Sequence, residues 1–191
     1  MAEIDELYEA LEEARDADQV ASACVLYEEI LTQDDEEDVS STLLYAQDLT
    51  DLGNYAQALA TLARIEELIP ASGMASFQWV KGTVFEETGR FAEAESCFRE
   101  ADQHDPQKRG DYLVQAASMA FRQGEPGRAE FLVREALKKE CECKEALANL
   151  GASLASQRRY AEAKVTFEEV IALDPKNENA REWLLDLDAL V

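Results

Sequence analysis

The chain has 191 residues, of which 47% are apolar, and its formal net charge is −23. Such a negative chain is unsuited to bind nucleic acid or an anionic membrane surface, because both need a basic face. Its acidic amphipathic start, its lack of an apolar run long enough to span a bilayer and its four irregularly spaced cysteines predict a cytoplasmic protein with reduced thiols.

The abundance of Ala, Leu and Glu and the helical spacing of apolar residues predict an all-α chain. In chain order, the predicted helices span about 3–15 and 19–32, 40–52 and 55–69, 74–88 and 91–103, 110–123 and 126–140, 144–157 and 160–173, and 177–190. The last helix carries Trp183, Leu184 and Leu187 on one face, so we expect it to cap the array with these residues turned inward.

Three columns of residues recur along the chain with the same intervals of 35, 36, 35 and 34 residues. A small residue that allows close helix packing recurs at Ala23, Ala58, Ala94, Ala129 and Ala163. The turn inside each helix pair carries Asp18, Gly53, Gly89, Gly124 and Arg158. The turn that leaves each pair carries Asp35, Pro70, Pro106, Cys141 and Pro175. The columns predict one domain over 1–191, with repeats at about 4–38, 39–74, 75–109, 110–143 and 144–177 and a capping helix at 178–191.

The last of these repeats has the clearest pattern. Apolar and small residues recur at helical spacing and precede a proline, namely Leu147, Leu150, Gly151, Leu154, Tyr160, Ala163, Phe167, Val170 and Pro175. This pattern resembles the tetratricopeptide repeat signature, with Leu147 at the place of the usual Trp. The resemblance extends over about residues 4–177 and implies a right-handed α-solenoid (superhelix), in which the first helix of each pair lines a concave groove that holds a peptide or protein.

Mapping that groove onto the first helices gives ten candidate partner-binding residues, which are Tyr8, Leu43, Gln47, Trp79, Thr83, Val114, Ser118, Phe121, Arg122 and Asn149. Trp79 lies three residues before Gly82, whereas the family's structural Trp lies four before its Gly. One residue rotates a helical side chain by about 100°, so Trp79 faces either the groove or the core between repeats. Phe121 has the same two alternatives, and Tyr8 is either a groove residue or a solvated residue of the first helix.

Some family members grip a peptide's C-terminal carboxylate with a clamp of Lys, Asn and Arg. The first two repeats contain Arg15 and Arg64 but no Lys, so we do not expect that clamp here. Residues 1–38 hold 15 acidic residues and one basic residue, including the acidic run 34–38. This charge is either a solvated face or a docking site for a basic segment of a partner.

No residue pattern indicates catalysis, a cofactor or a metal site. His104 stands alone in a predicted exit turn, the Cys-x-Cys of Cys141 and Cys143 has no further ligand nearby, and the many carboxylates are expected to be solvated. The predicted function is therefore a non-enzymatic adaptor or scaffold that binds a protein or peptide. The alternative is a small acidic chaperone or holdase for a secreted or aggregation-prone partner, and a homo-oligomer stays open.

Overall fold

A computed structural model describes residues 4–17, 19–33, 38–107, 109–139 and 143–189. These residues form α-helices joined by turns, without a strand, which confirms the predicted all-α fold class. The helices are α1 (Ile4–Asp16), α2 (Val20–Gln33), α3 (Val39–Asp51), α4 (Tyr55–Ile65), α5 (Met74–Glu87), α6 (Phe91–His104), α7 (Asp111–Arg122), α8 (Pro126–Ala136), α9 (Cys143–Ser156), α10 (Tyr160–Leu173) and α11 (Glu178–Asp188).

Two of the observed helices end four residues earlier than predicted. α4 ends at Ile65 and is followed by a 3-10 turn over Glu66–Leu68. The helix does not continue further because Ile69 precedes Pro70 and takes an extended ψ of 119°. α8 stops at Ala136, and residues 137–139 form a turn in which Lys139 donates to the carbonyl of Ala136. α6, by contrast, runs one residue beyond its predicted end. The exposed His104 is therefore its last residue and not part of the following turn.

The helices group into two compact units, a first unit of Met1–Thr88 and a second unit of Gly89–Val191. In the first unit, α1 pairs with α2 and α3 with α4, while α5 packs against both α3 and α4. Its largest fully buried side chains include Phe77, Leu49, Leu62 and Ile65. A continuous core of this kind holds α3 and α5 side by side, and those two helices form the groove described below.

The members of the alanine column are buried. Ala23, Ala58, Ala94 and Ala163 have no exposed surface, and Ala129 is 1% exposed. At such positions an added methyl group has no space, because protein cores are packed as densely as organic crystals. The periodic small residues therefore set how closely the paired helices approach.

The turn inside each pair has a left-handed backbone. Gly53, Gly89 and Gly124 have φ of 76°, 74° and 78°, and Arg158 in the same column has φ of 61°. Glycine adopts this conformation at little steric cost, whereas a side chain with a Cβ is strained in it. The column therefore reflects backbone geometry, which Arg158 adopts without being glycine. Asp18, the first member of the column, lies outside the described residues.

The exit turns are exposed, and three of them carry the predicted prolines. Pro70, Pro106 and Pro175 are all solvent-exposed. After Pro70, the residues Ala71 to Gly73 form a turn before α5 begins. The remaining members of this column, Asp35 and Cys141, lie outside the described residues.

In the second unit, successive helices from α6 to α11 pack against one another. Phe167 of α10 is 1% exposed and lies close to Gly151 of α9. On α11, the Trp183 ring stacks on the Phe167 ring, with centroids 5.5 Å apart and planes 10° apart, and Leu187 is 1% exposed. These contacts confirm that the last helix covers the end of the final repeat. Leu184 is only partly buried.

The expectation that the carboxylates are solvated is wrong for three of them. Asp48, Glu95 and Asp105 are 6%, 6% and 8% exposed. Each has partners that offset its loss of water. Glu95 accepts from Gln123 at 2.8 Å and pairs with Arg128 at 3.0 Å, whereas Asp105 accepts backbone N–H groups in the turn after α6.

Glu130 of α8 is bonded to the turn between α9 and α10 in the second unit. Its carboxylate accepts from Arg159 at 2.7 Å, from Arg134 at 2.9 Å and from Gln157 at 2.8 Å. Burial acts to raise the pKa of Glu130, but these three hydrogen bonds together outweigh it and lower the pKa below its usual value. The network therefore stabilises the charged form of Glu130 and ties α8 to the turn between α9 and α10.

Candidate functional site

An open groove of about 470 Å³ lies between α3 and α5 in the first unit. Its walls come from the N-terminal half of α3, from the turn before α5 and from the first two turns of α5: Val39, Ser40, Leu43, Leu44, Gln47, Ile69, Pro70, Ser72, Gly73, Ser76, Trp79 and Val80. Val39 and Leu43 are four residues apart and share one face of α3, while Tyr45 and Leu49 turn into the core. Helix α3 therefore presents apolar side chains on two faces, and only one of these faces is fully buried.

Trp79 forms one wall of this groove. The side chain is half-buried, packs against the core of the first unit and also lines a cavity of about 30 Å³ with Gln47, Asp51 and Thr83. The hydroxyl of Thr83 donates to the Trp79 carbonyl oxygen at 3.0 Å, so this hydroxyl is occupied within α5. Both alternatives that the sequence left open are thus realised, because one side of the indole meets the core and another meets the groove.

Acidic side chains lie beyond Gln47, at the other end of α3. A cavity of about 340 Å³ there is lined by the ends of α1 and α3 and the start of α2, with Arg15, Asp16, Gln19, Val20, Gln47, Asp48 and Asp51. Gln47 lines this cavity as well as the groove, so the two adjoin each other along α3. We refer to Asp16, Asp48 and Asp51 as the acidic end of the groove.

The ion pair between Arg15 and Asp48 forms the floor of the acidic end. Arg15 Nη1 lies 2.5 Å from Asp48 Oδ2 and also donates to the Tyr27 hydroxyl at 3.3 Å. Burial raises the pKa of Asp48; Arg15 opposes this rise and the neighbouring Asp51 adds to it. Asp16 and Asp51 are exposed, so they are the carboxylates of this cavity that an incoming group meets first.

A polar cluster on α2, α3 and α4 supports the same helices from the other side. The Tyr45 hydroxyl donates to Glu28 at 2.9 Å and accepts from Gln57 at 2.7 Å. The Tyr27 and Tyr45 rings lie 5.2 Å apart. Burial raises the pKa of both tyrosines, to about 12 for Tyr27, so both hydroxyls stay protonated at neutral pH. These contacts fix α3 against its neighbours and hold the groove wall in place.

Helices α7 and α9 of the second unit carry the other half of the candidate residues. Asn149 of α9 donates to the Ser118 hydroxyl at 2.9 Å and to the Val114 carbonyl oxygen at 3.4 Å, so these three residues lie together. Phe121 is half-buried. The guanidinium of Arg122 lies over the Phe91 ring at 4.1 Å, which is a cation–π contact. Part of this surface is therefore occupied by contacts within the unit.

The structure thus brings together Leu43, Gln47, Trp79 and Thr83 around the groove, and Val114, Ser118 and Asn149 around a second surface. Tyr8 is half-buried against the core of the first unit and lines none of the cavities described above. Sequence reasoning missed the turn residues Ile69, Pro70, Ser72 and Gly73 as groove walls. Their signal was the extra length between Ala58 and Ala94, which places an insertion beside the first helices.

Within the acidic run 34–38, the structure describes only Asp38. Its side chain caps α3 by accepting from the backbone N–H groups of Ser40 and Ser41. No group of three or more His, Cys, Asp or Glu in the described part of the chain could hold a metal ion. Among the same residues, no helix is long and apolar enough to cross a membrane.

Solved structures that are similar to this chain include tetratricopeptide repeat proteins. A tetratricopeptide repeat protein from Parabacteroides merdae has a TM-score of 0.81 and 14% identity, over 96% of this chain and 72% of its own. The MamA protein has a TM-score of 0.76 and 14% identity, over 91% of this chain and 92% of its own. The first such domain of Spaghetti (RPAP3), solved with the HSP90 peptide SRMEEVD, has a TM-score of 0.59 and 25% identity, over 62% of this chain and 94% of its own.

No curated protein sequence matched the chain. The tetratricopeptide repeat family itself matches residues 43–109 and residues 144–177, which together are just over half of the chain. These two regions contain α3 to α6 and α9 to α10, with the alanine and glycine columns in register. Sequence, helix geometry and structural similarity agree, and the chain belongs to the tetratricopeptide repeat family.

Proposed function

We propose that this protein is a non-enzymatic interaction module, an adaptor or scaffold, which binds a peptide or protein segment in the groove between α3 and α5. The observation that carries this proposal is an apolar groove of about 470 Å³ with a half-buried Trp79 in its wall. Leu44 of α3 is 39% exposed and lines the same space. An open cavity of that size accepts one or two large side chains, and buried aromatic residues are the usual anchors of protein interfaces.

The similarity to the first such domain of Spaghetti (RPAP3) supports the same proposal, because that domain was solved with an HSP90 peptide and is 25% identical to this chain. We assign Leu43, Gln47, Trp79 and Thr83 to the partner contact. Val114, Ser118, Phe121, Arg122 and Asn149 are assigned to a second contact surface. We also propose a cytoplasmic location, since Cys24 and Cys97 are buried free thiols, as is usual in a reducing compartment.

Peptide selection tests the groove directly. A displayed library of random twelve-residue peptides would be selected on the protein, and the binding of enriched peptides followed by Trp79 fluorescence in a Trp183→Phe background. This background leaves Trp79 as the only tryptophan, because the chain has two. A peptide that covers a half-buried indole changes the polarity around it, so we expect a shift in its emission as the peptide binds.

Groove variants give the decisive comparison. For the variants, binding is followed by the fluorescence anisotropy of a labelled peptide, and Trp79→Ala should weaken enriched peptides by about thirtyfold, the effect of losing a 2 kcal/mol hot spot. Because Trp79 also packs on the core, Leu44→Glu is the second variant, since its exposed side chain places a charge in the groove with little effect on folding. Phe131→Ala is the matched control, being an aromatic of α8 that is 58% exposed and lies in the other unit. Peptides that bind both groove variants as tightly as the wild type would refute the proposal.

A holdase is the competing proposal, and one observation favours it. Large apolar side chains are also exposed away from the groove, including Phe131, Val165, Leu173 and Leu185, which are 55–71% exposed. A holdase would suppress the aggregation of a heat-unfolded reporter protein whatever its sequence, and Leu44→Glu would leave that activity intact. A groove-binding adaptor would instead bind peptides of one pattern and fail to protect the reporter.

A further inference from the structure

The first unit carries most of the negative charge. Residues 1–88 contain 21 acidic and three basic residues, so they hold 18 of the 23 net negative charges. Two of these cations are already paired, Arg15 with Asp48 at 2.5 Å and Lys81 with Glu66 at 2.7 Å. With so few cations, the first unit cannot neutralise its carboxylates internally, and its groove lies in a negative potential that attracts a cationic ligand.

The carboxylates of the acidic end lie where helix dipoles add to their charge. Asp16 is the last residue of α1, and Asp51 is the last residue of α3. The C-terminus of a helix carries about half a negative charge, so an aspartate there is repelled and a cation is favoured. The arrangement is therefore unfavourable within the free chain, and a cationic group from a ligand would relieve it.

The same cavity contains one positive group, Arg15. This guanidinium is committed to Asp48 on the floor, and its side chain is 30% exposed. Three carboxylates against one guanidinium leave a net negative cavity, with Asp16 and Asp51 at its exposed rim. The cavity adjoins the apolar groove at Gln47, which lines both, so the two lie within reach of a single bound segment.

We propose that the groove binds a segment in which a large apolar side chain is followed, in either chain direction, by an arginine or lysine that enters the acidic end. This inference rests on the proposed function, since it names the chemistry of the partner that the same groove would take. Leu44 and Asp51 are seven residues apart on α3, which is about 10 Å along the helix axis. An extended segment covers that distance in about three residues, so the basic residue lies about three positions from the apolar anchor.

The probe for this inference is the same displayed library of random twelve-residue peptides, selected at about 20 mM and about 500 mM salt. At low salt we expect enrichment of arginine or lysine about three positions from a large apolar residue. At high salt we expect that basic preference to fade, because screening shortens the range of the charges. In a synthetic copy of an enriched peptide, the change of its basic residue to glutamine should weaken binding about three- to tenfold at low salt.

The protein variant for this test is the double change Asp16→Asn and Asp51→Asn. Both residues are exposed ends of helices, so their neutralisation should leave the melting temperature unchanged or slightly higher while weakening the basic peptide about three- to tenfold. The matched control is Glu67→Gln, which removes an exposed carboxylate of the same unit that lines neither the groove nor the acidic end. It should bind the peptide as the wild type does.

The outcomes separate this inference from the proposed function. The inference would be overturned if the peptides that depend on Trp79 showed no preference for a basic residue. It would also be overturned if the double variant bound the basic peptide as tightly as the wild type does. In both cases the groove function would stand. A selection that yields no Trp79-dependent peptide would overturn both. Concentration-dependent self-association in sedimentation that Trp79→Ala abolishes would also overturn the inference, because the groove would then hold a second copy of the chain.

Discussion

Gly151 of α9 is a position where one added methyl group should destabilise the second unit. A Cβ at Gly151 would lie 2.8 Å from Cζ of Phe167 and 2.9 Å from both of its Cε atoms. Ordinary carbon contacts begin near 3.5 Å, so the ring would have to retreat by roughly 0.7 Å. The ring is 1% exposed and Trp183 is stacked on it with a centroid distance of 5.5 Å, so this retreat would disturb the cap as well.

The two contributions to the free energy of unfolding in Gly151→Ala have opposite signs. Alanine is favoured over glycine in a helix by about 1 kcal/mol. Overpacking a rigid core costs about 1–3 kcal/mol. The cost here lies at the upper end of that range, because the added methyl group would meet three atoms of the Phe167 ring. The expected net effect is a loss of about 2 kcal/mol. For a chain of this length that corresponds to a fall of about 4–8 °C in melting temperature.

Urea and thermal unfolding, followed by circular dichroism and by tryptophan fluorescence, would measure the effect. Gly127→Ala is the matched control, because Gly127 is also helical but a Cβ there would meet nothing within 4 Å. That variant should be as stable as the wild type or more so. Adding Phe167→Leu to Gly151→Ala should recover part of the loss, because a smaller side chain leaves space for the methyl group. If Gly151→Ala stabilised the protein as Gly127→Ala does, the packing argument would be refuted.

Three further predictions concern a strained turn, a buried carboxylate and a buried thiol. Arg158→Gly should leave the melting temperature unchanged or raise it by up to a few degrees, whereas Arg158→Val should lower it, since φ is 61° there. The lowered pKa of Glu130 means that its stabilising effect is complete above the ordinary pKa of about 4.3 and is lost as the pH falls through the lower native value. The free energy of unfolding should therefore fall less between about pH 5 and pH 3 in Glu130→Gln than in the wild type. Urea midpoints measured across this range would show the difference. Burial, with the charges of Asp48 and Glu28 adding to it, raises the pKa of Cys24 to about 11, so its alkylation at pH 7 should be slow until the protein unfolds, with Cys24→Ser as the blank.

The fold could be predicted from the sequence because its determinants are periodic and local. The alanines of the repeat column are buried, Gly53, Gly89, Gly124 and Arg158 have left-handed backbones, and Pro70, Pro106 and Pro175 lie in exit turns. Each of these residues acts within its own repeat, so spacing alone reveals it. The end of α4 was misplaced because the sequence pattern does not show that Ile69, held extended by Pro70, shortens the last turn to 3-10 geometry.

The site was less predictable, since its parts come from separate repeats. The pairing of Arg15 with Asp48 joins α1 to α3 across 33 residues, and no pattern in either helix indicates it. The same holds for Glu95, whose burial depends on Gln123 and Arg128 of later helices. Charge counting treats such carboxylates as surface, whereas the structure shows that their partners bury them. The ten candidate residues remain predictions as partner contacts.

The turn from Ile69 to Gly73 has a consequence for specificity. Ile69, Pro70, Ser72 and Gly73 all line the groove, whereas the buried alanines of the repeat column do not. Loops of this kind tolerate changes of length and sequence that helices do not. Exchanging residues 70–73 would therefore reshape one wall of the groove while Ile69, which packs against the core, stays in place. This turn is therefore a segment whose replacement could change the ligand preference while the helical scaffold stays the same.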